Sequence, residues 1–87
     1  MIIQVPNPFN YHARKEFLPK IQENPVDSEL TLDFEGVSSL DSAALGMLLM
    51  AREQCKGVKG RISLINCSEP VKQILTIAQF HMLFDIS

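Results

Sequence analysis

The chain has 87 residues, of which 46% are hydrophobic and 21% are charged, and its formal net charge is -2. This length predicts one domain over residues 1–87, and the slightly acidic balance, with scattered basic residues, argues against nucleic-acid binding. The sequence has neither an apolar run near the ~20 residues that span a membrane nor a secretory signal, so we expect a cytoplasmic protein.

The N-terminal part of the chain predicts a strand followed by a helix. Residues 1–5 form a short extended segment that two prolines end. Asn10 is a suitable N-cap for a helix with an apolar face. We expect this helix to end or kink near Leu18, because Pro19 removes one backbone hydrogen bond and crowds the preceding turn.

The middle of the chain predicts a strand, a loop and a long helix. A polar turn around Pro25 leads to residues 30–34, where apolar and polar side chains alternate as in a half-buried strand. Residues 35–40 form a loop rich in glycine and serine. A broad apolar stripe at helical spacing predicts a helix from residue 42 to residue 56, with Gly57 as its C-cap.

The C-terminal part predicts a second strand over residues 61–66 and a third helix capped by Ser68, with Pro70 in its first turn. Residues 83–86 form either a short final strand or a docking tail. A basic cluster lies around the junction of the second helix and the second strand. Positive side chains interact favourably with the negative carboxyl end of a helix, and this explains the cluster more simply than a binding patch does. The cluster consists of Lys56, Lys59 and Arg61.

Strand, helix and strand over residues 30–66 make a βαβ unit, in which the crossover is right-handed and the strands are parallel. We therefore expect an α/β fold, with a small mixed β-sheet of about four strands and three helices packed on it. In open α/β sheets the working loop follows the carboxyl end of a strand. This rule places the candidate site at residues 35–42.

The two cysteines, Cys55 and Cys67, have a spacing that fits neither a zinc site nor a redox motif. We expect both to be small buried hydrophobic side chains. A catalytic thiol requires a histidine partner, and nothing pairs His12 or His81 with either cysteine. The sequence therefore predicts no metal site, no cofactor and no thiol chemistry.

Asp41 and Ser42 stand where the loop becomes the second helix, and either side chain can cap the free N–H groups of its first turn. A phosphate on Ser42 would lie at the positive end of the helix dipole and add roughly -1.5 to -2 charges beside Asp41. Gly46 costs about 1 kcal/mol in a helix interior, which a close packing or docking contact would explain. Two interpretations stay open: both residues only cap the helix, or Ser42 accepts a phosphate.

Residues 32–34 (Leu-Asp-Phe) and 37–46 (Val-Ser-Ser-Leu-Asp-Ser-Ala-Ala-Leu-Gly) resemble the signature of STAS domains, in which an aspartate-serine pair precedes the second helix. Residues 60–67 and 68–75 resemble the strand and helix that follow it in this family. Residues 9–13 and Phe17 resemble the family's first helix. The resemblance covers nearly the whole chain.

The resemblance implies an anti-sigma factor antagonist that binds an anti-sigma factor, often a serine kinase. The kinase would phosphorylate Ser42, the modified chain would lose its partner, and a serine phosphatase would restore binding. The implied partner-binding residues surround this serine. They are Asn10, Ser38, Ser39, Leu40, Asp41, Ala43, Ala44 and Leu45.

The chain departs from the family pattern in three respects. The family usually has a further strand before the first one found here, and a shortened sheet predicts an exposed edge that could form a homodimer. Asn10 stands where the family often has aspartate, which bears on how kinase and phosphatase handle Ser42. Ala43 stands where the family more commonly has serine or threonine, and Ala44 stands where it more commonly has glycine.

Two other functions compete with this interpretation. A STAS subunit of a transport system would bind an ABC-type ATPase and would not need phosphorylation of Ser42. An enzyme would need a nucleophile, a base and an orienting acid, and no base for Ser42 is evident in the sequence. We therefore do not expect catalysis by this chain.

Overall fold

The computed structural model describes residues 1–24, 28–55 and 61–87. Strands and helices alternate along them as β1 (Ile2–Gln4), α1 (Arg14–Glu23), β2 (Leu30–Asp33), α2 (Ser42–Gln54), β3 (Ile62–Ile65), α3 (Glu69–Ile77) and β4 (Asp85–Ile86). Short 3-10 turns at Tyr11–Ala13 and Phe80–Met82 precede α1 and β4. This confirms the predicted α/β class with four strands and three helices. The turn expected around Pro25, and the expected C-cap Gly57 with Lys56 and Lys59, lie outside the described residues.

The four strands form one sheet in the order β1-β2-β3-β4, and every neighbouring pair is parallel. The prediction of a mixed sheet was therefore wrong, because each strand returns to the sheet through a helical connection. Such a crossover reverses the chain twice and leaves consecutive strands pointing the same way. The final segment, which had two interpretations, is a strand paired with β3.

The helices cover one face of this sheet. Ile3, Leu32 and Leu64 are partners across three strands and are all buried, whereas the row of Gln4, Asp33 and Ile65 on the opposite face is partly or fully exposed. Right-handed crossovers between successive parallel neighbours place each helix on the same side. The buried residues of all three helices accordingly join a single core with the strands, and they are Phe17, Ile21, Ala44, Met47, Leu48, Ala51, Val71 and Leu75.

Of the two outcomes expected near Leu18, an end or a kink, the first does not occur: helix α1 continues to Glu23 with Pro19 inside it. Phe17 and Ile21 flank this proline and are both buried. Burying a large apolar side chain contributes about 1.5–3 kcal/mol, so the two together offset the roughly 3 kcal/mol by which proline disfavours a helix interior. Asn10 is an N-cap, as predicted, but it caps the 3-10 turn that precedes α1.

Helix α3 begins after Ser68, as predicted, but the serine side chain makes no capping hydrogen bond. Its hydroxyl instead donates to the carbonyl oxygen of Val37, at 3.5 Å. Pro70 lies in the first turn, where its missing N–H costs no intrahelical bond. The start of α3 is therefore linked to the loop between β2 and α2, and that loop carries the candidate site.

Candidate functional site

Asp41 is the N-cap of α2. Its backbone is extended and its Oδ1 accepts the peptide N–H of Ala44 at 2.8 Å. This bond satisfies one of the free donors of the first turn. Ser42 is the first residue of the helix and is exposed. The capping role therefore falls to Asp41, and the hydroxyl of Ser42 is left facing solvent.

The second carboxylate oxygen of Asp41 connects α2 to the turn before α1. Oδ2 accepts the peptide N–H of Tyr11 at 3.2 Å. Asn10 precedes that tyrosine and accepts the N–H of His12 at 3.0 Å through its side-chain oxygen. The structure thus brings the turn at Asn10 close to Asp41 and Ser42, which follow it by about 30 positions in the sequence.

Helices α1 and α2 run parallel and are connected by a hydrogen bond at each end. The Tyr11–Asp41 bond joins their amino ends, and the side chain of Gln54 donates to the carbonyl oxygen of Asn24 at 3.0 Å at their carboxyl ends. Both positive helix ends therefore lie on the same side of the molecule. This arrangement places the start of α2 beside the 3-10 turn that precedes α1.

The loop before α2 presents two serines to solvent. Ser38 and Ser39 are exposed, whereas Leu40 is half-buried and forms a parallel β-bridge with Phe9. Val37 is buried in the core and fixes the middle of the loop. The exposed residues next to Leu40 and Asp41 are therefore these two serines, while Glu35 and Gly36 are exposed on the other side of Val37.

The predicted contact residues of α2 differ in accessibility. Ala43 and Leu45 are half-buried, but Ala44 is 0% exposed and belongs to the core. The expectation that the side chain of Ala44 contacts a partner was therefore wrong. Its position facing the sheet, three residues after the cap, accounts for its burial.

The outer face of α2 is apolar and exposed, which was not predicted from the sequence. Leu49 is 42% exposed and Met50 is 52% exposed, and a Cβ built on Gly46 meets no atom within 4 Å. Gly46 is thus not explained by close packing inside the described chain. The signal in the sequence was the width of the apolar stripe, since one buried helix face does not require apolar residues all round the helix.

A second polar cluster lies at the carboxyl ends of the strands. The Oδ1 atom of Asp33 accepts hydrogen bonds from the side chain of Asn66 at 3.0 Å and from the N–H of Glu35 at 2.9 Å. These two donors, the asparagine first, hold the pKa of Asp33 below its usual value. Sequence reasoning missed this pair, although both polar residues end an apolar strand.

Both cysteines are buried, as predicted. Burial raises the pKa of the Cys67 thiol to about 11, with the charges of Lys72 and Asp33 as smaller and opposing influences. Such a thiol is protonated at neutral pH and is a poor nucleophile. Among the described residues, no cluster of three or more histidine, cysteine or acidic side chains could hold a metal ion.

The chain combines a helical layer on one face of a parallel sheet with an aspartate-serine pair at the start of the second helix, and comparison with protein families identifies its class. The family model of the STAS domain matches residues 1–87, and the chain belongs to this family. A STAS-domain containing protein of Pseudomonas aeruginosa (strain UCBPP-PA14) is 36% identical over 88 residues, a match that spans 100% of this chain and 87% of that protein. Within residues 1–24, 28–55 and 61–87, no helix is both long and apolar enough to cross a bilayer.

Proposed function

We propose that the chain is an anti-sigma factor antagonist-like protein, a single cytoplasmic domain that binds a partner protein and is switched off by phosphorylation of Ser42. The observation that carries this proposal is the placement of Ser42. Its side chain is exposed at the first position of α2, while Asp41 performs the capping. A modification of this hydroxyl therefore breaks no bond that holds the helix.

The face of α2 that follows Ser42 supports a docking role. Gly46, Leu49 and Met50 are exposed on the same helix, and exposed apolar side chains in a contiguous patch are typical of protein interaction sites. A protein seated on them would come close to the serine hydroxyl. A phosphate there would have to lose its water on docking, at a high cost in free energy.

The fold itself tolerates this phosphate. The amino ends of α1 and α2 lie together, and free N–H groups at such ends stabilise an added anion. The charge of Asp41 lies next to the modified residue, so the surface becomes strongly negative. The expected effect is repulsion of a partner without unfolding of the domain.

The proposed partner is an anti-sigma factor that is also a serine kinase, and a serine phosphatase reverses the modification. The chain supplies the hydroxyl and the kinase supplies the catalysis. The proposed contact surface keeps the accessible members of the predicted set. These are Asn10, Ser38, Ser39, Leu40, Asp41, Ala43 and Leu45.

The test is the intact mass of the chain after incubation with ATP, Mg²⁺ and its cognate serine kinase. We expect the gain of one phosphate on the wild type and none on Ser42→Ala. Ser63→Ala is the matched control, because it removes a partly exposed serine hydroxyl on the opposite face of the sheet, outside the proposed contact surface. Equal phosphorylation of Ser42→Ala and the wild type would overturn the assignment.

The switch itself is tested by affinity for that kinase in the absence of ATP. Ser42→Glu should weaken binding about tenfold or more, because a carboxylate at an apolar interface is desolvated without a partner. Ser42→Ala should bind as the wild type does. Unchanged affinity of Ser42→Glu would exclude an electrostatic switch.

The alternative function, a STAS subunit that binds an ABC-type ATPase, uses the apolar face of α2 but not the hydroxyl. The exposure of Leu49 and Met50 is compatible with it. Co-purification with such an ATPase, together with no phosphate on Ser42 from any adjacent kinase, would favour this alternative over the switch.

A further inference from the structure

Asp33 and Asn66 meet at the carboxyl ends of two neighbouring parallel strands. Asp33 is the last residue of β2 and is paired with Ile65, the last residue of β3, so that Asn66 follows directly beside it. The side-chain amide of Asn66 donates to Oδ1 of Asp33 at 3.0 Å. A hydrogen bond with one charged partner is stronger than a neutral one.

The same oxygen holds the first peptide group of the loop that leads to Ser42. Oδ1 of Asp33 accepts the N–H of Glu35 at 2.9 Å. From the other side, the side chain of Gln4 at the end of β1 donates to the carbonyl oxygen of Glu35 at 3.2 Å. The start of this loop is thus held from β1, β2 and the end of β3.

The contacts continue along the loop toward α2. Gly36 takes a positive φ of 84°, and the N–H of Val37 donates to the carbonyl oxygen of Phe34 at 2.9 Å. Val37 is buried, and its own carbonyl oxygen accepts from the hydroxyl of Ser68. Each contact limits the directions that residues 38–42 can take.

The backbone of Asn66 suits this role. Its φ is 58°, in the left-handed region, which asparagine occupies more readily than most residues with a side chain. The two hydrogen bonds to Asp33 also keep that carboxyl charged, since they lower its pKa. The contact is therefore present in its charged form at neutral pH.

We propose that Asn66 and Asp33 are positioning residues, whose mutual hydrogen bond fixes the loop of residues 35–41 and thereby the presentation of Ser42. Neither residue was among the predicted contact residues. The link to Ser42 rests on the proposed function, whereas the effect on the loop does not. The alternative is that the pair contributes only to the general stability of the fold.

These two alternatives can be distinguished by a variant that introduces charge repulsion between positions 33 and 66 and by a double variant that removes it again. Asn66→Asp keeps a residue that tolerates a positive φ but sets two carboxylates against each other. Adding Asp33→Asn removes this repulsion. Oδ1 alone accepts both bonds in the wild type, so in the double variant the new amide turns about χ2, its nitrogen donating to position 66 and its oxygen accepting the N–H of Glu35. Asn66→Gly is a second variant, which keeps the backbone conformation and removes the amide without adding charge.

The measurement is amide hydrogen exchange by NMR on the full chain. We expect Asn66→Asp and Asn66→Gly to speed the exchange of Glu35 and Val37 about tenfold or more, with much smaller changes in α3. The double variant Asp33→Asn, Asn66→Asp should restore the protection that Asn66→Asp removes. A uniform change across the chain, unchanged loop exchange, or no rescue would each overturn the positioning role.

The link to Ser42 has its own measurement, the KM and kcat for phosphorylation by the kinase that modifies the wild type. Asn66→Asp should raise the KM severalfold, and the double variant should return it toward the wild-type value. An unchanged KM with faster loop exchange would overturn the link alone. If no kinase modifies the wild type, the proposed function fails, while the exchange measurement still decides the positioning role.

Discussion

Asp41 is the residue on which the geometry around Ser42 most depends, because each of its carboxylate oxygens accepts one peptide N–H. One comes from its own helix, at Ala44, and the other from Tyr11 before α1. The first bond could be predicted from the sequence, since aspartate before an apolar helix is a common cap. The second joins positions 30 apart and depends on how the helices pack, which no local pattern encodes.

Replacement of this cap should destabilise the domain. We expect Asp41→Ala to lower the free energy of unfolding by about 1–2 kcal/mol, because it removes the cap of α2 and the bond to Tyr11. For a domain of this size, 1 kcal/mol corresponds to a fall in Tm of roughly 4–8 °C. Asp41→Asn is the control, since its amide oxygen can still accept the N–H of Ala44. An unchanged Tm for Asp41→Ala would contradict the capping role.

Among the helices, α1 illustrates where local rules fail. Propensity alone ends it before Pro19, but the helix continues because the buried side chains of Phe17 and Ile21 lie on either side of the proline. Tertiary packing of a helix face generally outweighs propensity. The extent of α1 could therefore be predicted only with knowledge of what covers its apolar face.

In helix α2, a substitution of Gly46 should change the stability of the domain and its binding of a partner in opposite directions. This glycine lies in the helix interior and a Cβ there meets no atom within 4 Å, so Gly46→Ala should raise the free energy of unfolding by about 0.5–1 kcal/mol. Thermal unfolding measures this gain. A lower Tm would show that the site is crowded in solution.

The same variant tests whether a partner docks on the exposed apolar face of α2. If a partner packs closely on α2, the added methyl group should weaken its binding even though the domain itself becomes more stable. Binding of the cognate kinase to Gly46→Ala, compared with the wild type, provides the measurement. Equal affinity would mean that the partner does not approach Gly46 closely.

On the scale of the whole molecule, β1 is an edge strand, and among the described residues no strand pairs with its outer side. Met1 and Val5 bond to β2 through their backbones, and alternation along a strand then turns the peptide groups of Ile2 and Gln4 outward. The side chain of Ile2 is 71% exposed beside them. Such an edge favours pairing with a second copy of the chain.

We therefore expect a concentration-dependent homodimer through β1, measurable by sedimentation equilibrium. Ile2→Lys should shift the chain to monomer, because a charge on an edge strand opposes pairing. Ile77→Lys is the matched control, since Ile77 is 83% exposed on α3, away from this edge. A monomeric wild type at all accessible concentrations would exclude the dimer.

The overall architecture was more predictable than its details. Alternation in residues 30–34, the helical stripe after Ser42 and the next apolar strand are local patterns, and together they predict the βαβ unit. The all-parallel sheet was not predicted, because strand direction at β1 and β4 depends on long-range pairing. For the same reason the Asp33–Asn66 contact, which spans two strands, could not be read from spacing.

The one-sided arrangement of the helices has a practical consequence. The side of the sheet without helices carries Thr31, Ser63 and Asp85, which are partly or fully exposed. A fluorophore or a linker attached at these positions should leave the helical side undisturbed. The end of the same face, at Gln4 and Asp33, has to be spared, because these residues hold the loop that leads to Ser42.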